Sequence, residues 1–488
     1  MIVDDRGSVV ASGTEEHRAF DSPQPGWAEQ SPKDWWRACG IAVRRALESG
    51  GVSGDEISCV GFSGQMHGAV LLNDRDEVVR PALIWCDQRT EQEARWLEEK
   101  IGRARLIELT LNPALTNFTL TKLLWVREHE PKNWQRIRHL MLPKDYVRFR
   151  LTGERATDVA DASGTLLFDV ARREWSAEVA RLAGIDVAML PRAYESPEIC
   201  AQISGDGTAA TGLRAGTPVV AGAGDQAAGA VGMGIVRAGR VSATIGTSGV
   251  VFAATEKPSM DPQGRLHTFC HAIPGRWFVM GVTQAAGLSL RWFRDTFGAA
   301  GADDGRDAYE RLTEEADDAP ACVEGIFWGP YLMGERTPYC DPNVRAALIG
   351  LAASHGRAQI IRAILEGVAF SLRDTLSIFG EIGVPVQEIR LGGGGARSKL
   401  WRKVQAEVYG REVARVETEE GAAYGAAILA GVGVGAWKSV DDACAAVVRV
   451  AERIQPDAKR LEEMESGYRT YGKIYPALKQ IFDNKGAH

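Results

Sequence analysis

Val241-Ser242-Ala243-Thr244-Ile245-Gly246-Thr247-Ser248-Gly249-Val250-Val251-Phe252-Ala253 is the stretch on which the fold turns. Two apolar runs flank four small residues, which predicts a strand, a tight turn over Gly246–Gly249 and a return strand. In such a turn successive backbone N–H groups point into one concavity, and the Thr247 and Ser248 hydroxyls add donors. That is the chemistry of a phosphate cradle. An ordinary Gly-Thr-Ser turn has the same residues, so the motif needs company. No Gly-x4-Gly-Lys-Ser/Thr run occurs in the chain, which excludes a P-loop.

Just upstream lies Val220-Ala221-Gly222-Ala223-Gly224-Asp225-Gln226-Ala227-Ala228-Gly229. A buried strand ends in Gly-Ala-Gly, presents an acid and an amide, and enters a helix of small residues. A carboxylate at the junction of a strand's end and a helix's start is well placed to meet a ligand. As a general base Asp225 would take a proton from a substrate hydroxyl. An aspartate capping the helix has the same signature. Farther upstream, Gly61-Phe62-Ser63-Gly64-Gln65-Met66-His67-Gly68 concentrates polar groups between glycines, and Pro81-Ala82-Leu83-Ile84-Trp85-Cys86-Asp87-Gln88-Arg89 follows closely. Gln65, His67, Trp85, Asp87 and Arg89 together would line a polyol pocket with hydrogen-bonding groups and one aromatic face. Downstream, Leu391-Gly392-Gly393-Gly394-Gly395-Ala396-Arg397-Ser398-Lys399 sets four glycines between a strand and a helix. There a flat adenine or ribose can approach the backbone closely. Gly421-Ala422-Ala423-Tyr424-Gly425-Ala426-Ala427 reads as a structural helix packed closely on a sheet.

The rest of the chain sets the frame. At 488 residues it is too long for one compact core and predicts two domains. Its formal net charge of -7 argues against a nucleic-acid footprint. The eight cysteines form no CxxC pair, so they read as reduced, mostly buried thiols of a cytoplasmic protein, with no metal site predicted. The start lacks a basic and apolar leader, and the apolar window Val219–Val236 carries Asp225, Gln226 and five glycines. It suits a packed strand, turn and helix, not a membrane span. Met1–Ser12 reads as a hairpin. Ser31-Pro32 opens a helix with serine as cap. Strands are expected at Ile57–Phe62, Ala69–Leu72 and Glu388–Leu391, a long helix at Arg357–Phe379, and a charged helical tail from Asp441. Alternating strands and helices imply α/β layers.

Taken together these segments resemble the FGGY carbohydrate kinases of the actin-like ATPase superfamily. The carriers are Gly64-Gln65-Met66-His67-Gly68, Ile84-Trp85-Cys86-Asp87-Gln88-Arg89, Leu120-Thr121-Lys122-Leu123-Leu124-Trp125, Leu142-Pro143-Lys144-Asp145-Tyr146, Gly224–Gly232 and Gly334-Glu335-Arg336-Thr337-Pro338. The resemblance implies an α/β fold of two actin-like (RNase H-like) domains closing on a cleft. Residues 1–236 would form the sugar-binding N-terminal domain and 237–488 the ATP-binding C-terminal domain. It implies Met66, His67 and Gln226 as sugar contacts and Asp225 as catalytic base and sugar contact, and Trp85 from the pocket reading joins the substrate-binding set. It further implies Gly246, Thr247, Ser248, Gly287, Gly393, Gly394, Gly395 and Ser398 at ATP. Mg²⁺ would neutralise the phosphates. The implied reaction is phosphorylation of a ketose, D-xylulose ahead of ribulose or a polyol such as glycerol. No membrane partner is expected, and a homodimer is compatible.

One element of the resemblance is missing. The family's first domain opens with its own acidic Gly-Thr-Ser hairpin, and Met1-Ile2-Val3-Asp4-Asp5-Arg6-Gly7 matches the strand after that turn. The expectation is a start lying upstream of Met1. The alternatives are a chain inactive as written, and a sugar- or nucleotide-binding protein without catalysis.

Overall fold

The computed structural model describes residues 1–298, 306–320, 325–418 and 421–482. The decisive stretch folds as read. Strand Gly239–Ile245 runs into the turn and returns as Gly249–Thr255, antiparallel, with Ile245 opposite Gly249. This hairpin lies in the middle of a seven-stranded sheet. Trp277–Thr283 and then His267–Cys270 extend it antiparallel on one side. On the other side come Val386–Gly392 and Val413–Val416, both parallel, and then Val450–Ile454, antiparallel. Parallel strands need crossover connections, and the helices that supply them cover the sheet. The 25-residue helix Arg357–Glu381 is the longest. The expected helical tail is corrected at Val450–Ile454. Its exposed residues conceal a strand, because an edge strand needs no apolar face.

The first half has the same alternation but shorter pairings. Among the described residues its strands pair two by two: Ile2–Val3 with Val9–Ala11, Val70–Leu72 with His139–Met141, and Ser63–Gly64 parallel to Ala223–Gly224. The expected strand at Ile57–Phe62 is corrected. Only Val60 bridges there, to Val219, and the ladder begins at Ser63. Gly61 lies against another backbone, with a Cβ there falling 2.1 Å from the Ala426 carbonyl oxygen. Ser31 occupies the cap position of helix Pro32–Gly50, but its side chain makes no cap bond.

The largest apolar cluster gathers residues from both sides of residue 236, among them Met66, Phe118, Phe269, Phe278, Tyr424 and Leu429. Helix Gly421–Gly433 packs chiefly on another helix, Asp225–Gly232, not on a sheet as expected. A Cβ on Gly425 would lie 1.8 Å from Ala228 O and one on Gly232 2.0 Å from Gly421 O, so only glycine permits this approach. Seven cysteines are free, but only Cys270 and Cys444 are fully buried, fewer than expected, and Cys322 lies outside the described residues. Among the described residues no helix is long and apolar enough to cross a membrane.

Candidate active site

The structure assembles two groups of the predicted residues. The first surrounds Asp225. Gly222 has φ of 75°, where a Cβ would sit 2.2 Å from Phe62 O, and Ala223 N donates to Phe62 O at 3.0 Å. These contacts lock the strand end against the Ser63–Gly64 segment. Gly224 takes the cap position of the helix and Asp225 is its first residue, so the carboxylate is not the cap. Its Oδ1 accepts the neighbouring Gln226 N–H at 2.9 Å, and Gln226 Nε2 lies 3.5 Å from Oδ2. Burial pushes this carboxyl up to about 6, against the pull of the Gln226 hydrogen bonds. That is the range a general base near neutral pH needs.

Met66 packs against the preceding Gly224, with its Cγ 2.6 Å from where a Gly224 Cβ would be. His67 is buried at φ of 66°. Its Nδ1 lies 2.7 Å from Gly164 O and therefore carries the proton, leaving Nε2 as an acceptor. Burial lowers its pKa to about 3, so the ring stays neutral. Phe118, 5.3 Å away, and Phe269, 6.0 Å away, hold the imidazole edge-on and tilted. Phe269 belongs to the large sheet, so His67 sits where the two halves meet. Asn112 ties the same junction: its Nδ2 donates to Thr268 O at 2.8 Å and its Oδ1 accepts from Thr268 N at 3.1 Å.

The expected polyol pocket is only partly assembled. Trp85 is 48% exposed, open to a ligand. Asp87 and Arg89 are instead committed to each other. The guanidinium donates to both carboxylate oxygens, at 2.7 to 3.0 Å, and lies over Trp27 and Trp125. Asp87 also accepts the Ala28 N–H. Gln65 donates to Gln30 Oε1 at 3.0 Å. The spacing of these residues reads as a pocket; their tertiary partners make them its wall.

Beneath the Asp225 group lies a cluster that sequence reasoning missed. Lys144 Nζ meets Asp145 and Asp158 at 2.5 Å and Asp161 at 3.2 Å, and Arg148 meets Asp145 at 2.9 Å, with every side chain at most 1% exposed. Burial pushes the Asp158 and Asp161 carboxyls up. It pulls Lys144 down, but the three carboxylates prevail and hold its ammonium above the usual range. Gly64 and Gly224 touch this cluster: a Cβ on the first would be 3.0 Å from Lys144 Cβ, and one on the second 3.4 Å from Asp161 Oδ1. The Lys144-Asp145 pair was visible as a motif, but nothing in the sequence brings Asp158 and Asp161 to it.

The second group surrounds the Gly246–Gly249 turn. Gly246 and Thr247 are exposed and Ser248 is half-buried. Gly246 N donates to Ser248 O at 2.9 Å, while Thr247 N and Ser248 N donate to no backbone carbonyl among the described residues. Gly287 caps the turn from below. Its N–H donates to Gly246 O at 2.8 Å, and a Cβ there would fall 2.3 Å from that oxygen. The four-glycine loop reaches the same place. Gly393 has φ of 72° and would set a Cβ 2.5 Å from Ile245 O. Gly394 is exposed, whereas Gly395 is buried against Ile245. The Ser398 hydroxyl accepts from Trp401 N and caps helix Lys399–Tyr409. Free N–H groups, and glycines that admit no Cβ, fit a nucleotide's phosphates and ribose. Among the described residues no group of three or more His, Cys, Asp or Glu could hold a metal ion.

A glycine-rich turn on a central hairpin and a half-buried carboxylate where two α/β halves meet are the parts that a phosphotransferase of two actin-like domains needs. Residues 1–232 match the N-terminal domain and residues 241–434 the C-terminal domain of the FGGY family of carbohydrate kinases. A xylulose kinase of Bacillus subtilis strain 168 is 36% identical over 481 residues, covering 99% of this chain and 95% of the relative. One of Escherichia coli K12 is 36% identical, covering 98% and 96%. The crystal structure of a xylulose kinase from Rhodospirillum rubrum superimposes with a TM-score of 0.87 at 30% identity, covering 95% of this chain and 93% of that one. The chain belongs to the FGGY family of carbohydrate kinases and is a phosphotransferase with an alcohol acceptor.

Proposed function

We propose that this kinase transfers the γ-phosphoryl group of ATP to the 5-hydroxyl of D-xylulose, giving D-xylulose 5-phosphate and ADP. The observation that supports the proposal is Asp225, a half-buried carboxylate with no cation among its hydrogen-bond partners in the described residues, one residue beyond the Gly224 that packs on Met66. The names of the full-length relatives add the sugar. Residues 1–236 hold the sugar and 237–488 the nucleotide. His67 Nε2 and Gln226 orient the hydroxyls and Trp85 offers an apolar face. Asp225 takes the hydroxyl proton as the oxygen bonds to the γ-phosphorus and the bond to ADP breaks. The N–H groups of Thr247 and Ser248 donate to the phosphate oxygens and stabilise their charge, so catalysis rests on positioning and electrostatics. Gly287, Gly393, Gly394 and Gly395 shape the nucleotide side. Mg²⁺ would arrive held mainly by the phosphates, supplying charge neutralisation.

The test is ADP release by the purified chain with D-xylulose, D-ribulose and glycerol in parallel. A kcat/KM highest for D-xylulose is expected. A higher value for another acceptor would reassign the sugar. Sugar binding without ADP release would leave a binding protein.

A further inference from the structure

Gly334-Glu335-Arg336-Thr337-Pro338 has no part in the mechanism above, yet it is bonded directly to the strand on which the phosphate turn rests. Glu335 is 3% exposed and all its partners are uncharged. Oε1 accepts from Gln284 N at 3.0 Å and from Arg336 N at 2.8 Å. Oε2 accepts from Thr283 Oγ1. Ser371 Oγ lies 3.4 Å from the same oxygen and donates to Thr283 Oγ1 at 2.8 Å. Thr337 completes the seam: its N–H donates to Val282 O and its Oγ1 accepts from Val282 N, both at 3.0 Å. Three consecutive residues, Val282 to Gln284, are thus fastened to this segment.

Val282 and Thr283 end the strand paired with the cradle hairpin and Gln284 follows it, Thr283 lying opposite Gly249. Immediately beyond, Gly287 N donates to Gly246 O at 2.8 Å and Leu288 N to Thr247 O at 3.1 Å. These bonds fix the turn's carbonyls on the protein side. A buried carboxyl engaged by three donors is costly to disturb, because each group left unmatched loses its solvation as well as its bond.

We propose that Glu335 is the positioning residue of the phosphate turn: by holding Thr283 and Gln284 it sets where Gly246–Ser248 meets the nucleotide's phosphates. Glu335 touches no substrate in this role and acts through the Gln284–Leu288 connection. The inference rests on the assignment of Gly246–Ser248 as the phosphate cradle.

Three variants test it: Glu335→Ala, Thr283→Val and Glu335→Gln. ADP affinity is measured by calorimetry, sugar affinity separately, and KM and kcat by turnover. In Glu335→Ala and Thr283→Val the ADP Kd and the ATP KM should rise about tenfold, the loss expected for one buried hydrogen bond. Sugar Kd should stay within about twofold, a split that general loosening of the fold would not give. Glu335→Gln keeps the shape and the acceptor for both amides, and its NH₂ can donate to the hydroxyl oxygens, so it should restore ADP affinity to within about threefold. If Glu335→Ala does not fold, Thr283→Val decides the matter. Unchanged ADP affinity in Thr283→Val, or an equal loss of sugar and nucleotide affinity, would overturn the assignment of Glu335. Failure of the unaltered chain to bind ADP would overturn the cradle itself, and this inference with it.

Discussion

The two halves place a ligand-facing strand end by different means. In the second half, the phosphate turn joins two seven-residue strands in the middle of a seven-stranded sheet. Its position is set by ladders on both sides and by the Glu335 seam. In the first half, the strand end bearing Asp225 is a two-residue pairing. Position there comes from glycine contacts, the rings around His67, and the buried Lys144 cluster. Backbone ladders suit a site that binds with N–H groups. Side-chain networks suit one that must tune a carboxylate, because burial and charge act on its pKa where a ladder does not.

Several changes would break or sharpen this contrast. Asp225→Asn should lower kcat by about 10³-fold, within the range for a lost general base, with ADP affinity unchanged by calorimetry. Turnover near that of the unaltered chain would reject Asp225 as the base. Lys144→Met leaves three buried carboxylates facing Arg148 alone and should cost about 3–4 kcal/mol of stability, read as an early unfolding transition in urea. If the first half depends on this cluster, that transition should expose Asp225 and His67 before the large sheet melts, as hydrogen exchange would register. In the second half, Gly393→Val sets a branched side chain at φ of 72° against Ile245 O. It should raise the ATP KM by about tenfold or more, with a smaller change in the sugar KM.

The pH dependence separates the halves further. With a base held at about 6, kcat/KM for the sugar should fall about tenfold from pH 7 to pH 5 as Asp225 protonates. Stability runs the other way. A carboxyl raised from 3.8 to about 6 in the folded chain contributes stability below pH 3.8 that is lost as pH rises through 6. Asp225→Asn should therefore melt no lower than the unaltered chain at pH 8. The smallest effect expected is that of Trp85→Ala, about threefold to tenfold in sugar KM, since this exposed ring has least else to do.

Much of this was legible in the chain. The Thr244–Gly249 turn, the Gly222–Asp225 strand end and the four-glycine loop are local, and their backbone demands are written in small residues. The strand at Val450–Ile454 was not legible, because at a sheet edge its polar residues carry no alternation. Ile57–Phe62 was overread, because an apolar run shows that residues are extended but not what they pair with. Asp87 and Arg89 resembled ligand groups, since a bidentate pair and a sugar contact use the same side chains.

By itself, the sequence determined the family, the α/β class, the glycine-rich turn at Gly246–Gly249 and the placing of an acid at position 225. These depend on short-range spacing and on which residues tolerate a turn. Only the tertiary structure decided what that acid can do. Its raised pKa comes from burial, the neutral ring of His67 from burial and its tautomer from a carbonyl 97 residues away, and the fixed turn from Glu335, 52 residues from Thr283. Desolvation and long-range hydrogen bonds arise from which segments meet in space, and no local pattern encodes that meeting.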